Sequence, residues 1–243
     1  MTDRIRFENI FRAAMTCVFL CAGASLHALE NPSAPKPHAF EKDILAFEAA
    51  DQKSPPPQGA ILFVGDSTFT KWKSIRDDLP GYTVINRGFG GSQMSDLLYF
   101  TERIVLPYKP RLIVVQEGGN DIHSGKTPEQ LLANIKAFVE KVRATLPGVP
   151  MAFGSVTPNS ARWSEFETRK IANALTKEYI ATQKNIVFID FVDAFLGPGG
   201  KPRDELFLPD RMHPNPAGYK VRVLVMKPFL GAPDKPTDGA TSK

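Results

Sequence analysis

The alternation of short apolar runs with stretches of helical spacing is what most constrains the fold of this 243-residue chain. Each run from residue 60 onward suits a buried strand, and the stretch after it repeats apolar residues every three or four positions, as in a helix. Strands that alternate with helices form parallel sheets covered by helices on both faces. The sequence therefore predicts an α/β fold of three layers, with the loops that follow the strands along one edge of the sheet. Predicted strands lie at 61–64, 83–85, 112–116, 151–156 and 186–189, and predicted helices at 40–50, 71–78, 94–104, 128–146, 163–179 and 216–230.

The first 28 residues have the layout of a secretory signal peptide. Three arginines make the start positive, an apolar run occupies 13–26, and small residues follow it. The run is shorter than the ~20 residues that a spanning helix needs, so no stable membrane span is expected after cleavage. Cleavage after Ala24 and cleavage after Ala28 both fit. We therefore predict a periplasmic or secreted protein; an amphipathic core helix is the alternative interpretation.

Three further segments follow the predicted signal peptide. Residues 29–59 are punctuated by prolines and contain one predicted helix, so we interpret them as a linker with a helix that packs on the domain. Residues 60–231 carry all the predicted strands and form the main domain. Residues 232–243 are small, polar or charged, which predicts a disordered tail.

Composition argues against several classes of function. The net charge of +4 is small, and lysines and arginines are scattered, so nucleic acid is not an expected partner. Both cysteines, Cys17 and Cys21, lie in the predicted signal peptide, and its removal would leave no thiol for a disulfide or a thiolate metal site. The chain has four histidines and no HExxH pair, so a dedicated metal centre is not expected.

Ser67 stands where the first predicted strand passes into a helix. Gly65 and Asp66 end the apolar run just before it. A hydroxyl at this position is close to helix-terminal N–H groups, which favour developing negative charge and suit a nucleophile. Asp-Ser is also a common helix N-cap, so this segment alone does not separate catalysis from capping.

Three other polar clusters follow predicted strands or lie near the C-terminus. The glycine-rich loop 86–92, which contains Gly91, lets backbone N–H groups approach a ligand. Asn120 follows the third strand and can donate its amide hydrogens to an oxyanion. Asp210 precedes His213 by three residues, so its carboxylate can hold the imidazole tautomer and leave the other nitrogen free as a base. Alone, each cluster also fits a turn or a helix cap, but together they supply what acyl transfer requires.

These clusters give the chain a resemblance to a known family, the SGNH hydrolases, also called GDSL-type esterases and lipases. Four blocks of the family occur in order within residues 60–231: 65–67, Gly91, 118–121 and 210–213. The flanking residues 84–92 and 202–207 are similar to a bacterial branch of that family.

The resemblance implies a flavodoxin-like fold with a parallel five-stranded sheet, and it implies a role for each site residue. Ser67 would be the nucleophile, His213 the general base and Asp210 the residue that orients it. The N–H groups of Ser67 and Gly91 and the amide of Asn120 would form the oxyanion hole. No metal or organic cofactor is implied.

Two positions depart from the family pattern. Thr68 stands where the family name has leucine, which we regard as harmless variation. Arg211 stands where glycine often follows the catalytic aspartate, and a cation there could draw Asp210 away from His213.

The sequence therefore predicts a serine esterase that removes a small acyl group, such as acetyl, from a small-molecule or glycan ester of a carbohydrate or lipid. Transfer of the acyl group to a sugar hydroxyl by an envelope O-acyltransferase is a close variant. A catalytically inactive glycan-binding module is the competing hypothesis. The sequence leaves the oligomeric state open.

Other polar and aromatic residues near these blocks are expected to have structural roles. Asp66 is expected to fix its loop as an acceptor and His123 to be a non-catalytic rim residue. Core or rim packing is predicted for Trp72, Phe89 and Trp163, and a solvated helix face for Arg169 and Lys170.

Overall fold

The computed structural model describes residues 38–234, so the predicted signal peptide lies outside the described residues. A five-stranded parallel sheet in the order β2-β1-β3-β4-β5 forms the centre, which is the flavodoxin-like strand order. This confirms the predicted fold class. The strands are β1 (Ile61–Gly65), β2 (Val84–Gly88), β3 (Leu112–Gln116), β4 (Met151–Gly154) and β5 (Ile186–Ile189).

Eight α-helices surround the sheet in the described part of the chain. Helix α4 has the predicted bounds, and α6 ends one residue before its predicted end. The helices are α1 (Glu41–Lys53), α2 (Ser67–Thr70), α3 (Ile75–Asp78), α4 (Met94–Ile104), α5 (Gly119–His123), α6 (Pro128–Thr145), α7 (Phe166–Ala181) and α8 (Pro216–Met226).

The core has two halves, one on each face of the sheet. Leu62 and Val64 of β1 pack with α4 and α6, whereas Ile61 and Phe63 face the layer that contains α8. Successive side chains of a strand point to opposite faces, so a strand covered on both faces must be apolar throughout. All five residues of β1 are buried, as this geometry requires.

Several predicted elements differ from the observed ones. The strand β4 ends at 154 rather than 156, α7 begins at 166 rather than 163, α8 ends at 226 rather than 230, and α1 covers 41–53 rather than 40–50. Only the second half of the predicted helix 71–78 is helical, as α3, and the single-turn α2 precedes the predicted range. The indole of Trp72 donates to Asp78, 2.7 Å away. The predicted strand 83–85 extends to Gly88 because β2 lies at the sheet edge, where the polar Asn86 and Arg87 remain half-buried.

The C-terminal tail also departs from the prediction, because residues 232–234 pack on the domain. The backbone N–H of Asp234 donates to the carbonyl of Gly81 at 2.8 Å, and the Asp234 carboxylate lies 3.3 Å from the guanidinium of Arg111. The rest of the predicted tail lies outside the described residues. Within residues 38–234, no helix combines the length and apolar character needed to cross a membrane.

Candidate active site

Ser67 is the first residue of α2, directly after β1. Asp66 caps this helix: its backbone is extended, and its carboxylate accepts from the N–H of Thr68 at 2.8 Å. Asp66 thus acts as the loop-fixing acceptor that the sequence suggests. Burial raises its pKa, although the bond from Thr68 opposes the rise.

His213 joins Ser67 to Asp210 by two short contacts. Its Nε2 lies 2.8 Å from the Oγ of Ser67, and its Nδ1 lies 2.7 Å from Oδ2 of Asp210. A carboxylate can only accept, so Nδ1 carries a proton and Nε2 is free to accept the hydroxyl proton of Ser67. The structure therefore brings together the three residues predicted as nucleophile, base and orienting group.

Asp210 is held as a carboxylate by its own loop. Burial opposes its ionisation, but hydrogen bonds from the N–H and imidazole of His213 and the N–H of Met212 outweigh it and lower its pKa to about 2. Arg211 adopts a left-handed conformation, φ 52°, and its Nε lies 3.8 Å from Asp204 instead. The departure at Arg211 therefore does not separate Asp210 from His213.

The other two predicted oxyanion donors, Gly91 and Asn120, lie in segments that follow β2 and β3. Gly91 has φ 92° in the loop after β2, and a methyl built on its neighbour Gly90 would lie 3.7 Å from Cβ of Ser67. In the described part of the chain, the N–H groups of Ser67 and Gly91 donate to no protein acceptor. Asn120, on α5, lines the same pocket as Ser67. Gly91 is not among the residues lining that pocket, and the oxyanion hole stays a prediction.

Two buried ionisable groups, one on α8 and one directly after β3, were not predicted as notable. The guanidinium of Arg222, 1% exposed, donates to the side chains of Gln116 and Thr157, and burial lowers its pKa to about 10. The carboxyl of Glu117 accepts from Ser92 Oγ at 2.6 Å. Burial, reinforced by the charge of nearby Asp66, raises the pKa of Glu117 well above its usual range.

One predicted surface residue is buried instead. Arg169 is 2% exposed, donates to Glu165 at 2.8 Å and to the carbonyl of Thr157 at 2.9 Å, and lines the pocket. The prediction of a solvated face was wrong for Arg169 because its carboxylate and carbonyl partners compensate for lost hydration. Lys170 is exposed, as predicted.

The other residues predicted to have structural roles are not among those that line the pocket of Ser67. His123 contacts Glu165, 2.6 Å away, and is not among the residues lining the pocket. Trp72 and Phe89 are buried in the core, and Trp163 stacks on Phe166 with ring centroids 4.4 Å apart.

The pocket beside Ser67 is small and polar. It has a volume of about 50 Å³, and Arg162, which the sequence did not single out, lines it together with Asn120. Among residues 38–234, no group of three or more His, Cys, Asp or Glu side chains is arranged to hold a metal ion.

A parallel sheet of this order, with serine, histidine and aspartate brought together at the ends of its strands, defines a class of α/β hydrolytic enzymes. The model of the GDSL-like lipase/acylhydrolase family matches residues 57–221. The chain belongs to this family, and the resemblance noted from its four sequence blocks is confirmed.

Individual relatives agree with this assignment. Esterase TesA of Pseudomonas aeruginosa is 31% identical over 97 residues, which are 35% of this chain and 48% of that protein. The chain therefore matches about half the length of that relative. A GDSL-like lipase of Bacteroides thetaiotaomicron superposes with a TM-score of 0.66 at 20% identity, covering 77% of this chain and 96% of the other. A variant of Axe2, an acetyl-xylooligosaccharide esterase of Geobacillus, superposes with a TM-score of 0.57 at 17% identity, covering 72% and 96%. At these identities the two structures show the shared fold.

Proposed function

We propose that this protein is a serine esterase that hydrolyses a short acyl ester, such as an acetyl ester, of a carbohydrate or lipid. The observation that carries the proposal is the chain of contacts from Asp210 through His213 to Ser67, at 2.7 and 2.8 Å. This arrangement activates a hydroxyl that is otherwise a weak nucleophile. Membership of the acylhydrolase family supports hydrolysis as the type of reaction.

The proposed reaction has two steps. Nε2 of His213 takes the proton of Ser67 as Oγ attacks the carbonyl carbon, and the oxyanion accepts from the N–H groups of Ser67 and Gly91 and the amide of Asn120. Collapse breaks the bond to the alcohol, which leaves with the proton from His213. Water, deprotonated by His213, then attacks the acyl-serine and releases the acid, and Ser67 recovers its proton.

The polar lining of the pocket supports a short acyl group. Charged or amide groups form much of the wall, and such a surface does not favour burial of a long alkyl chain. The acetyl-xylooligosaccharide esterase among the structural relatives is consistent with acetyl esters as a substrate class. A sugar hydroxyl in place of water in the second step would make the enzyme an acyltransferase.

Hydrolysis of p-nitrophenyl acetate, butyrate and octanoate by the purified protein tests the proposal, with Ser67→Ala alongside. We expect turnover that falls with chain length and disappears in Ser67→Ala. Folding of the variant is checked by circular dichroism. Absence of Ser67-dependent turnover on these esters and on acetylated oligosaccharides would contradict the proposal and favour the binding module.

We also propose export to the periplasm or the medium, on the strength of residues 1–28. Fusion of these residues to a reporter active only outside the cytoplasm tests this. An inactive reporter, with the fusion protein present at full length, would contradict export.

A further inference from the structure

Arg162 binds the side chain of Asn120 at its carboxamide oxygen. Its Nη1 lies 3.1 Å from Oδ1 of Asn120 and 3.2 Å from the carbonyl oxygen of Gly119. The other end of the same carboxamide, Nδ2 of Asn120, donates to the carbonyl of Ser92 at 2.9 Å. The carboxamide is thus bound at both its oxygen and its nitrogen.

These two contacts permit only one orientation of the amide. A guanidinium can only donate and a backbone carbonyl can only accept. A flipped Asn120 would place its NH₂ against the cation and its oxygen against the carbonyl of Ser92, so both bonds would be lost. In the observed orientation, one Nδ2 hydrogen binds Ser92 and the second remains for the oxyanion.

We propose that Arg162 is a positioning residue for the oxyanion hole, which fixes Asn120 in the orientation that donates to the tetrahedral intermediate. The inference rests on the proposed esterase function. Because the acceptor Oδ1 faces a cation, the amide is also polarised, and its N–H groups become stronger donors.

The segment that carries Arg162 is held at several points. The carboxamide of Asn159 accepts from the N–H of Arg162 at 3.0 Å, and the N–H of Ala161 donates to the carbonyl of Arg211, in the loop of Asp210 and His213. Arg162 itself leaves the helical region, with φ −126° and ψ 36°. This local turn directs a long side chain towards α5.

Among residues 38–234, Arg162 forms no salt bridge, and the carboxylates of Glu165 and Asp66 act on it only at longer range. In contrast, neighbouring Arg169 pairs with Glu165. The side chain of Arg162 donates to two neutral acceptors, the carbonyl of Gly119 and the carboxamide of Asn120. Burial lowers the pKa of Arg162, and the charge of Arg169 lowers it further. A partly desolvated cation without a salt-bridge partner interacts more strongly with the carboxamide oxygen of Asn120 that it contacts.

A double-mutant cycle between Arg162→Ala and Asn120→Ala tests this. One oxyanion donor is worth ~10²–10³ in kcat, so we expect about that loss in Asn120→Ala and about a tenfold loss in Arg162→Ala, with KM little changed. The double variant should be no slower than Asn120→Ala, because Arg162 acts through Asn120. Losses that multiply, or a loss confined to KM, would overturn the proposal.

Chemical rescue and a matched control sharpen the test. Guanidinium ion in the millimolar range should restore part of the kcat of Arg162→Ala but none in the double variant, with sodium chloride as the ionic control. Arg76→Ala removes an exposed arginine on α3 and should leave kcat unchanged. Equal restoration in the single and double variants would overturn the proposal.

A readout without turnover separates this proposal from the esterase function. The side-chain ¹⁵NH₂ signals of Asn120 are identified by their loss in Asn120→Ala. Slow exchange of these protons with solvent in the wild type that becomes fast in Arg162→Ala would support a held amide, even if no ester is turned over. Identical signals in both proteins would overturn it.

Discussion

Hydrogen bonds from both the backbone and the side chain of His213 to the carboxylate of Asp210 close a ring within four residues of chain. Oδ1 of Asp210 accepts the N–H groups of Met212 and His213, each at 3.0 Å, while Oδ2 lies 2.7 Å from Nδ1 of the imidazole. The backbone of the loop therefore holds the carboxylate in place, and the carboxylate in turn orients the imidazole ring. The tautomer of His213 depends on an acceptor that its own backbone holds in place.

Replacing Asp210 by asparagine should lower kcat far more than it lowers stability. An Asn side chain can donate to Nδ1, which favours the tautomer with the proton on Nε2 and removes the base. We expect a loss of ~10²–10⁴ in kcat, the range for a general base in the wrong state. Steady-state hydrolysis of p-nitrophenyl acetate measures it. A loss below threefold would show that the ring nitrogen facing Ser67 is set by something other than Asp210.

Glu117→Gln should make stability less sensitive to rising pH. The folded protein keeps the proton of Glu117 above the ordinary pKa of 4.5, because burial raises its pKa, whereas the unfolded chain releases it. Unfolding then releases a proton, so the wild type loses stability as pH rises from about 4.5 towards the raised pKa. Glutamine resembles the neutral acid and has no such loss, and its oxygen can still accept from Ser92.

Urea unfolding between pH 4.5 and 9 measures this effect. The stability of Glu117→Gln relative to wild type should increase with pH. Glu178→Gln, which removes an exposed carboxylate from α7, serves as the control for loss of charge alone. Parallel curves for the wild type and Glu117→Gln would contradict a proton held on Glu117 in the folded protein.

The elements that the sequence predicts well are those with strong, local periodicity. Helix α4 has its predicted bounds, and β1 is apolar because both faces are covered. The residues brought to the site are also readable, because the ends of parallel strands share one edge of the sheet. Ser67 and His213 are 146 positions apart and still meet there.

The residues that the sequence does not reveal depend on distant partners. A charged residue on a helix predicts an exposed side chain unless its partner is known. The partner of Arg222 is Gln116, 106 positions away, so its burial could not be predicted. Arg162 reaches Asn120 across 42 positions from a segment whose 3₁₀ geometry has no strong local signal. Such side chains become interpretable only when the fold places their partners.

Gly65→Ala should prevent stable folding, since the turn before Ser67 has no room for a methyl group. Gly65 has φ 141°, and a built Cβ would lie 2.0 Å from the carbonyl oxygen of Gln116, a backbone atom of the neighbouring strand. Because this neighbour cannot rotate away, we expect a cost above about 3 kcal/mol. Thermal unfolding measures it. Gly148→Ala, where no heavy atom lies within 4 Å, is the matched control and should change stability little. Similar melting temperatures for the two variants would contradict the close approach of β1 and β3.

Truncation of Arg169 should destabilise the protein far more than truncation of the adjacent Lys170, although both are basic residues of α7. Arg169 is buried, and its loss would leave the carbonyl of Thr157 without this donor. Among the described residues, the carboxylate of Glu165 would keep His123 as its one side-chain partner. Removing one partner of a buried pair costs about 3–5 kcal/mol, and Glu165 is partly exposed, so we expect about 2–3 kcal/mol for Arg169→Ala. Lys170→Ala removes an exposed side chain and should stay within about 0.5 kcal/mol of the wild type. Urea unfolding of both variants at neutral pH gives the comparison. Equal stabilities of the two variants would contradict a stabilising role for the buried contacts of Arg169.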